Sequence, residues 1–222
     1  MLVLAIDTAT PAVTVAVGEV AAGGASQLLG ERVTVDARRH GELLAPSIEA
    51  MLLAADRTPG DLAAVVAGVG PGPFTGLRIG LVTAAALADA LGVPTYGVCS
   101  LDAIGYAGGP AAGSVLVATD ARRREVYWGL HGPDGRRMDG PYVSRPADVP
   151  TGGCVLARGA GAELYAVVFG LPVEPPAHPP ALALLALATQ RVSDRAPSEV
   201  LTPLYLRRPD ATEPAVARVG PR

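Results

Sequence analysis

The sequence predicts an α/β protein of two related lobes, each a mixed sheet flanked by helices, and three observations carry that expectation. Three short strand-like runs open the chain and are followed by alternating helix and strand, the order of a meander extended by parallel crossovers. A glycine- and proline-rich stretch at 68–80 joins a buried strand to a helix. The plan of the opening hairpin, an apolar strand with an aspartate at its exit followed by a turn and a second strand, recurs at 114–130.

Taken in order, residues 1–7 (MLVLAID) read as a buried strand, 8–11 as its turn, 12–17 as a second strand and 27–35 as a third. Helical spacing then places Leu44, Ile48, Met51, Leu52 and Ala55 on one side of a helix over 38–55, with Asp36 as its cap and a kink expected at Pro46. Residues 62–69 form a continuous apolar run ending in glycine, as in a strand buried on both faces. Leu77, Leu81, Ala84, Ala88 and Leu91 make the core stripe of the next helix, with Thr75 expected to cap it and Gly92 and Pro94 to end it. A strand at 94–98 and a helix at 100–106 follow, and the linker-like run 108–113 sets the boundary between lobes at 1–107 and 108–210. In the second lobe a strand at 154–157, a helix over 158–168 and an almost wholly apolar helix at 181–192, buried between layers, are expected, while 211–222 has the polar, proline-rich make-up of a disordered tail.

Composition narrows the function. A net charge of −3 over 222 residues gives no general basic field for nucleic acid, so RNA contact would need local arginine patches or a basic partner. There is no lysine: all 18 basic residues are arginine, which excludes a P-loop and Schiff-base chemistry by this chain alone. Two unpaired cysteines, Cys99 and Cys154, fit a reducing cytoplasm, and neither a signal peptide nor a membrane span is expected.

Candidate site residues cluster around the two strand exits. Gly70 and Gly72 let the backbone approach something closely, Pro71 and Pro73 stiffen the loop, and amides at a helix N-terminus attract anions, so this element is either an anion site or a tight structural turn. Arg78 in the first helical turn opposes the helix dipole and calls for an acidic or phosphate partner. Asp7, with Thr8 and Thr10, either orients a phosphate or metal or ties down its own turn, and Asp120 stands in the corresponding place. Gly76, Gly80, Thr83 and Leu87 form a stripe of mostly small residues that suits close approach of another helix, from a partner or from the chain itself. His40 reads as a solvated or capping residue, and Arg122, Arg123 and Arg124 as a basic hairpin tip.

Residues 70–80 (GPGPFTGLRIG), 6–10 (IDTAT) and 40–46 (HGELLAP) resemble the TsaB (YeaZ) family. Residues 120–122 (DAR), 125–128 (EVYW) and 203–207 (PLYLR) carry the likeness into the second half, so that it spans nearly the whole chain. The resemblance implies an actin-like, sugar-kinase and Hsp70-type (ribonuclease H-like) fold, and a part in forming N6-threonylcarbamoyladenosine next to the anticodon of tRNAs that read codons beginning with A. In that family the transfer is performed by a metal-holding relative, TsaD; TsaB pairs with it, the ATPase TsaE joins them, and tRNA is reached through the complex. The metal-binding His-x-x-x-His pair of TsaD is missing here, the histidines being His40, His131 and His178, and Cys99 stands where the family more often has serine.

A non-catalytic accessory subunit is therefore expected, with no metal or cofactor bound by this chain alone and ATP or ADP possible in the complex. The expected partner face comprises His40, Leu44, Ser47 and Ile48 on one helix and Gly76, Gly80, Thr83, Ala84 and Leu87 on the other, shared with a homodimer when the partner is absent. A bulky replacement at Gly80 is expected to block pairing and leave the monomer folded. The possible phosphate or nucleotide contacts are Asp7, Thr8, Gly70, Gly72, Thr75 and Arg78, and a stand-alone ATPase or small-molecule kinase using them is the competing reading. A peptidase finds no support, since the sequence has neither His-Glu-x-x-His nor a recognisable Cys/His or Ser/His arrangement.

Overall fold

The computed structural model describes residues 1–207; the tail expected over 211–222 lies outside the described residues. β1 (Leu2–Asp7), β2 (Ala12–Val20) and β3 (Ser26–Val35) form the antiparallel meander, and β4 (Leu62–Gly68) and β5 (Thr95–Val98) add in parallel, in the order β3-β2-β1-β4-β5. Side chains alternate across the buried strands as the pleat requires. Leu2, Leu4 and Ile6 face α1 (His40–Ala54) and α2 (Phe74–Leu91), where Leu44, Leu52, Leu77, Leu81 and Ala84 cover them. Val3 and Ala5 face the opposite way, onto α6 (Ala181–Ser193).

The second sheet repeats the plan. β6 (Ser114–Asp120), β7 (Val126–His131) and β8 (Arg137–Ser144) are antiparallel, β9 (Cys154–Arg158) and the short β10 (Val173–Glu174) are parallel to β6, and the order is β10-β9-β6-β7-β8. α3 (Ser100–Ala107) packs Leu101 and Ile104 on one face of this sheet, and α4 (Ala160–Leu164) with α5 (Ala166–Phe169) lies on the other. The duplication inferred from the two hairpins is thus complete at the level of whole sheets. The linker at 108–113 is pinned from the second lobe by the buried guanidinium of Arg158, which donates to the carbonyls of Gly105, Gly108 and Gly109 at the end of α3.

Several elements differ from expectation for identifiable reasons. α6 falls within the segment 108–210 but docks on the first sheet, so that segment does not pack as one lobe. Its N-terminus is satisfied by the Glu31 carboxylate of β3, which accepts from the amide of Ala181 at 2.7 Å. Asp36 does not cap α1: its carboxylate accepts from the amide of Arg38, and the helix starts later, at His40. α1 runs unbroken through Pro46, whose ring is exposed. α2 begins at Phe74 with Pro73 in the cap position, which places Thr75 inside the first turn. The helix expected over 158–168 is broken at Tyr165 into α4 and α5, and β8 was hidden by its internal Gly140-Pro141 pair.

By length and composition α2, at a mean hydropathy of 1.4, could cross a membrane. It packs instead as a core helix against β4 and β1, with Leu77, Leu81, Ala84 and Ala88 buried.

Because α6 holds the far half of the chain on the first sheet, truncating it should be felt globally. Leu184→Ala removes a fully buried side chain from that contact and should destabilise the protein by about 2–5 kcal/mol. Urea unfolding followed by tryptophan fluorescence (Trp128, second lobe) and by circular dichroism should show both signals shifted together.

Candidate functional site

The turn between β1 and β2 stands at the centre of the site, and each of its residues is tied to a different element. Asp7 accepts from the amide of Ala9 at 2.8 Å and from the Ser100 hydroxyl, at the start of α3, at 2.5 Å. Thr8 turns its hydroxyl into α2, donating to the carbonyl of Gly76 at 2.7 Å and accepting from the amide of Gly80 at 3.0 Å. Those two backbone groups pair with each other in a regular helix, so the hydroxyl is wedged into the ladder of α2. The carbonyl of Thr10 lies 2.8 Å from His40 Nε2, which fixes the start of α1.

This wedge accounts for the small-residue stripe. A Cβ on Gly80 would overlap the Thr8 hydroxyl, and one on Gly76 would stand 2.9 Å from the Thr8 carbonyl oxygen. What approaches α2 closely at these two positions is Thr8 of the chain's own first turn, through its side chain at Gly80 and its carbonyl at Gly76. Gly72 is required likewise, because a Cβ there would overlap the backbone of Ala9. Gly70 takes φ +91°, a conformation that only glycine adopts freely. A tryptophan at Gly80 would therefore disrupt the monomer, contrary to expectation.

The candidate residues separate accordingly. Asp7 is 1% exposed and bonded to Ala9 and Ser100; burial outweighs these hydrogen bonds and the nearby His40, and raises its pKa to about 6. Thr8 and Thr75 line a cleft of about 210 Å³ between the lobes, together with Thr10, Arg38, Asp120 and Arg122. Gly72 lines a second cleft of about 180 Å³, and Gly70 lines neither. Among the described residues Arg78 has no acidic partner: its guanidinium lies 3.8 Å from the centre of the Phe74 ring, and its Nε donates to the Tyr205 hydroxyl at 2.9 Å. His40 is buried, not solvated, and so are Leu44, Ser47, Ile48, Gly80 and Ala84. Of the expected partner face only Gly76, Thr83 and Leu87 are partly exposed.

What α1 and α2 do present is a trough of about 520 Å³, lined by Ala45, Ile48, Leu52, Leu53, Thr83 and Leu87, with Glu49 and Arg57 at its margin. Ile48, Thr83 and Leu87 had been singled out; Leu53, 78% exposed on the lip, had not. Cys99 packs in the core beside α3, where burial pushes its thiol up to about 12, fitting an inert small residue. No group of three or more His, Cys, Asp or Glu able to hold a metal occurs among the described residues.

Sequence reasoning also missed the cluster of Phe74, Arg78 and Tyr205, in which the two rings stack at 5.2 Å between centroids. Phe74 and Arg78 are four apart on one helix face, a signal that could have been read; Tyr205 comes from 127 residues further on.

Two β-meander lobes extended in parallel around a cleft, with an aspartate at the exit of each first strand, define an actin-like protein. The comparisons carry the assignment further. A family model described as "TsaD: tRNA N6-adenosine threonylcarbamoyltransferase" matches residues 27–150. An uncharacterized protein of Mycobacterium tuberculosis is 53% identical over 214 residues, covering 96% of this chain and 95% of the relative. The tRNA threonylcarbamoyladenosine biosynthesis protein TsaB of Bacillus subtilis is 33% identical over 131 residues, 59% of this chain and 55% of that protein. The structure of YeaZ from Pseudomonas aeruginosa superposes with a TM-score of 0.75 at 28% identity, covering 92% of this chain and 99% of that one. The chain belongs to the TsaB (YeaZ) family.

The Asp7 environment has a measurable consequence. With its folded pKa above the ordinary aspartate value of 3.8, Asp7 binds its proton more tightly in the native state, so its contribution is fully present below about pH 4 and is lost as pH rises through about 6. Asp7→Asn, which preserves the shape, should flatten the pH 4–6 stability profile by up to about 3 kcal/mol. Urea midpoints measured across that range check it.

Proposed function

We propose that the chain is the non-catalytic accessory subunit of the assembly that forms N6-threonylcarbamoyladenosine in tRNA, and that it docks a TsaD-like catalytic subunit in the trough between α1 and α2. The observation that carries this reading is the trough itself. It is apolar on its floor and lip, and the chain's own helices leave it open. An exposed apolar depression with charged groups at its margin is the form of a protein interface. The named relatives act in the same tRNA modification, which supports a TsaD-like subunit as the partner. In this reading a TsaE-like ATPase and tRNA join through the complex, in the cytoplasm. A second copy of the chain occupies the trough when the partner is absent, and ATP or ADP binds in the assembly and not to this chain alone.

A stand-alone ATPase or kinase is the weaker alternative, because a phosphate-handling aspartate has to reach its ligand. Asp7 is sealed behind its own hydrogen bonds, and Gly72 accommodates the chain's own backbone.

The test is reconstitution: TsaD-like and TsaE-like subunits with ATP, threonylcarbamoyl-adenylate and unmodified tRNA, with and without this chain. Product should require it. Leu53→Asp, at an exposed side chain on the lip of the trough, should weaken co-purification with the TsaD-like subunit at least tenfold and leave the melting temperature unchanged. Product formed equally well without the chain would overturn the reading.

A further inference from the structure

α3 is held by both lobes. Its first residue is bound to the first lobe: the Ser100 amide donates to the carbonyl of Gly70 at 2.7 Å, and the Ser100 hydroxyl donates to Asp7. Along one side of the helix and its cap, at intervals of three, Asp102, Gly105 and Gly108 are each met by polar side chains of the second sheet. The Asp102 carboxylate pairs with Arg137 of β8 at 3.1 Å and lies 3.2 Å from His131 Nε2 of β7. A Cβ on Gly105 would overlap the His131 ring, and one on Gly108 would overlap the Arg158 guanidinium. The backbone asks for glycine at neither place, since Gly105 lies inside the helix and Gly108 has φ −72° and ψ −2°. Both glycines are therefore sockets, and the side chains they receive, His131 and Arg158, are 0% and 1% exposed.

A second tie runs through the C-terminal segment. The amide of Leu204 donates to the carbonyl of Val69 at 2.9 Å, and Arg207 donates to the carbonyl of Ala121 at 2.9 Å and pairs with Glu125. These contacts flank the β6–β7 turn, where Arg122, Arg123 and Arg124 have φ of +62°, +54° and +63° and the Asp120 carboxylate accepts from the amide of Arg122. We propose that α3 with its two sockets is a latch that fixes the angle between the lobes, with Arg158 as the bolt, so that the cleft keeps one width. By composition alone the run 108–113 is a flexible joint. Bending there would withdraw Arg158 from the carbonyls of Gly105, Gly108 and Gly109, and a buried guanidinium stripped of its acceptors is strongly unfavourable. The latch stands whether or not the chain is an accessory subunit. To a partner that touches both lobes it offers a surface already assembled, without the ordering that an open hinge requires on binding.

The experiment is pulsed electron–electron double resonance on the full chain carrying Cys154→Ser, with spin labels at Arg32→Cys on β3 and Ala147→Cys after β8, both exposed positions. The labelled protein is diluted with unlabelled chain so that pairs within one molecule are read, and Cys99, being buried, escapes labelling. One narrow distance distribution is expected, unmoved by excess ADP or by a TsaD-like subunit. Gly108→Ala, which the backbone tolerates but which displaces the guanidinium, should broaden it about twofold, and so should Arg158→Lys, whose single ammonium cannot span three carbonyls. Gly152→Ala, with open space around it, should leave it narrow. Thermal melts identify any variant that fails to fold, and Arg137→Gln, on the partly exposed side of the Asp102 pair, then supplies the broadening to be measured. A distribution that stays narrow in every folded variant, whatever the melting temperatures, would show that Arg158 serves stability alone and would overturn the latch. A broad or two-peaked distribution without these substitutions, or a shift on adding ADP or the partner, would overturn it as well. Product made without the chain in the reconstitution would sink the accessory role and leave the distances standing.

Discussion

The hydroxyl of Thr8 between the carbonyl of Gly76 and the amide of Gly80 is the constraint on which the first lobe depends. It requires two glycines at a spacing of four on α2, and it requires the turn carrying Thr8 to lie against the helix backbone. That in turn brings Ala9 onto Gly72 and leaves no room for any side chain there. With Asp7 bound to the start of α3 and the Thr10 carbonyl to His40, one five-residue turn sets the positions of α1, α2 and α3 relative to the central strand. In an actin-like protein this is where a nucleotide phosphate would be handled. Here the same atoms serve as internal struts, and Asp7, bonded to the Ala9 amide and the Ser100 hydroxyl, stands outside the lining of the cleft.

α2 emerges as a helix with three separate duties along its length. Its first turn presents Phe74 and Arg78 to the C-terminal segment; Gly76 and Gly80 receive the Thr8 turn; and Thr83 and Leu87 form part of the open trough with α1. The high apolar content that makes it resemble a membrane span follows from those demands, since the sheet side needs leucine and alanine and the turn side needs glycine. A partner seated in the trough therefore bears on the same rigid helix whose other end lies between the lobes.

Most of the fold was legible because its signals are local. The continuous apolar run of β1, the period of α2 and the repeated strand–aspartate–turn units each follow from neighbours within a few residues. The site was legible only in part. A glycine shows that something comes close but not what does, so Gly76 and Gly80 read equally well as a partner face and as a seat for Thr8. Leu44 and Ile48, expected at the partner face, belong to the buried stripe of α1, and periodicity could not mark the exposed Leu53 beside them. Arg78 reads in sequence as calling for an acidic or phosphate partner; the contacts it makes are to the Phe74 ring and to the hydroxyl of Tyr205, 127 positions away. Contacts of that span depend on how the C-terminal segment returns across the molecule, and no local pattern encodes the return.

That return is physically specified. The segment after α6 runs along the outer edge of β5, where the amide of Glu199 bonds to the carbonyl of Thr95 and its carboxylate accepts from Gly97 and from Arg191. The amide of Leu204 then bonds to the carbonyl of Val69, which delivers Tyr205 to Phe74 and Arg207 to the β6–β7 turn. The three left-handed arginines are each disfavoured by about 1–2 kcal/mol relative to the right-handed region. The strap formed by Arg207 and the Asp120 cap are among the contacts that offset that. Removing Arg207 would act first on the shape of the turn, and only through it on charge. The aromatic stack and the cationic turn are thus two products of one C-terminal return, which is why they lie side by side although their sequences are far apart.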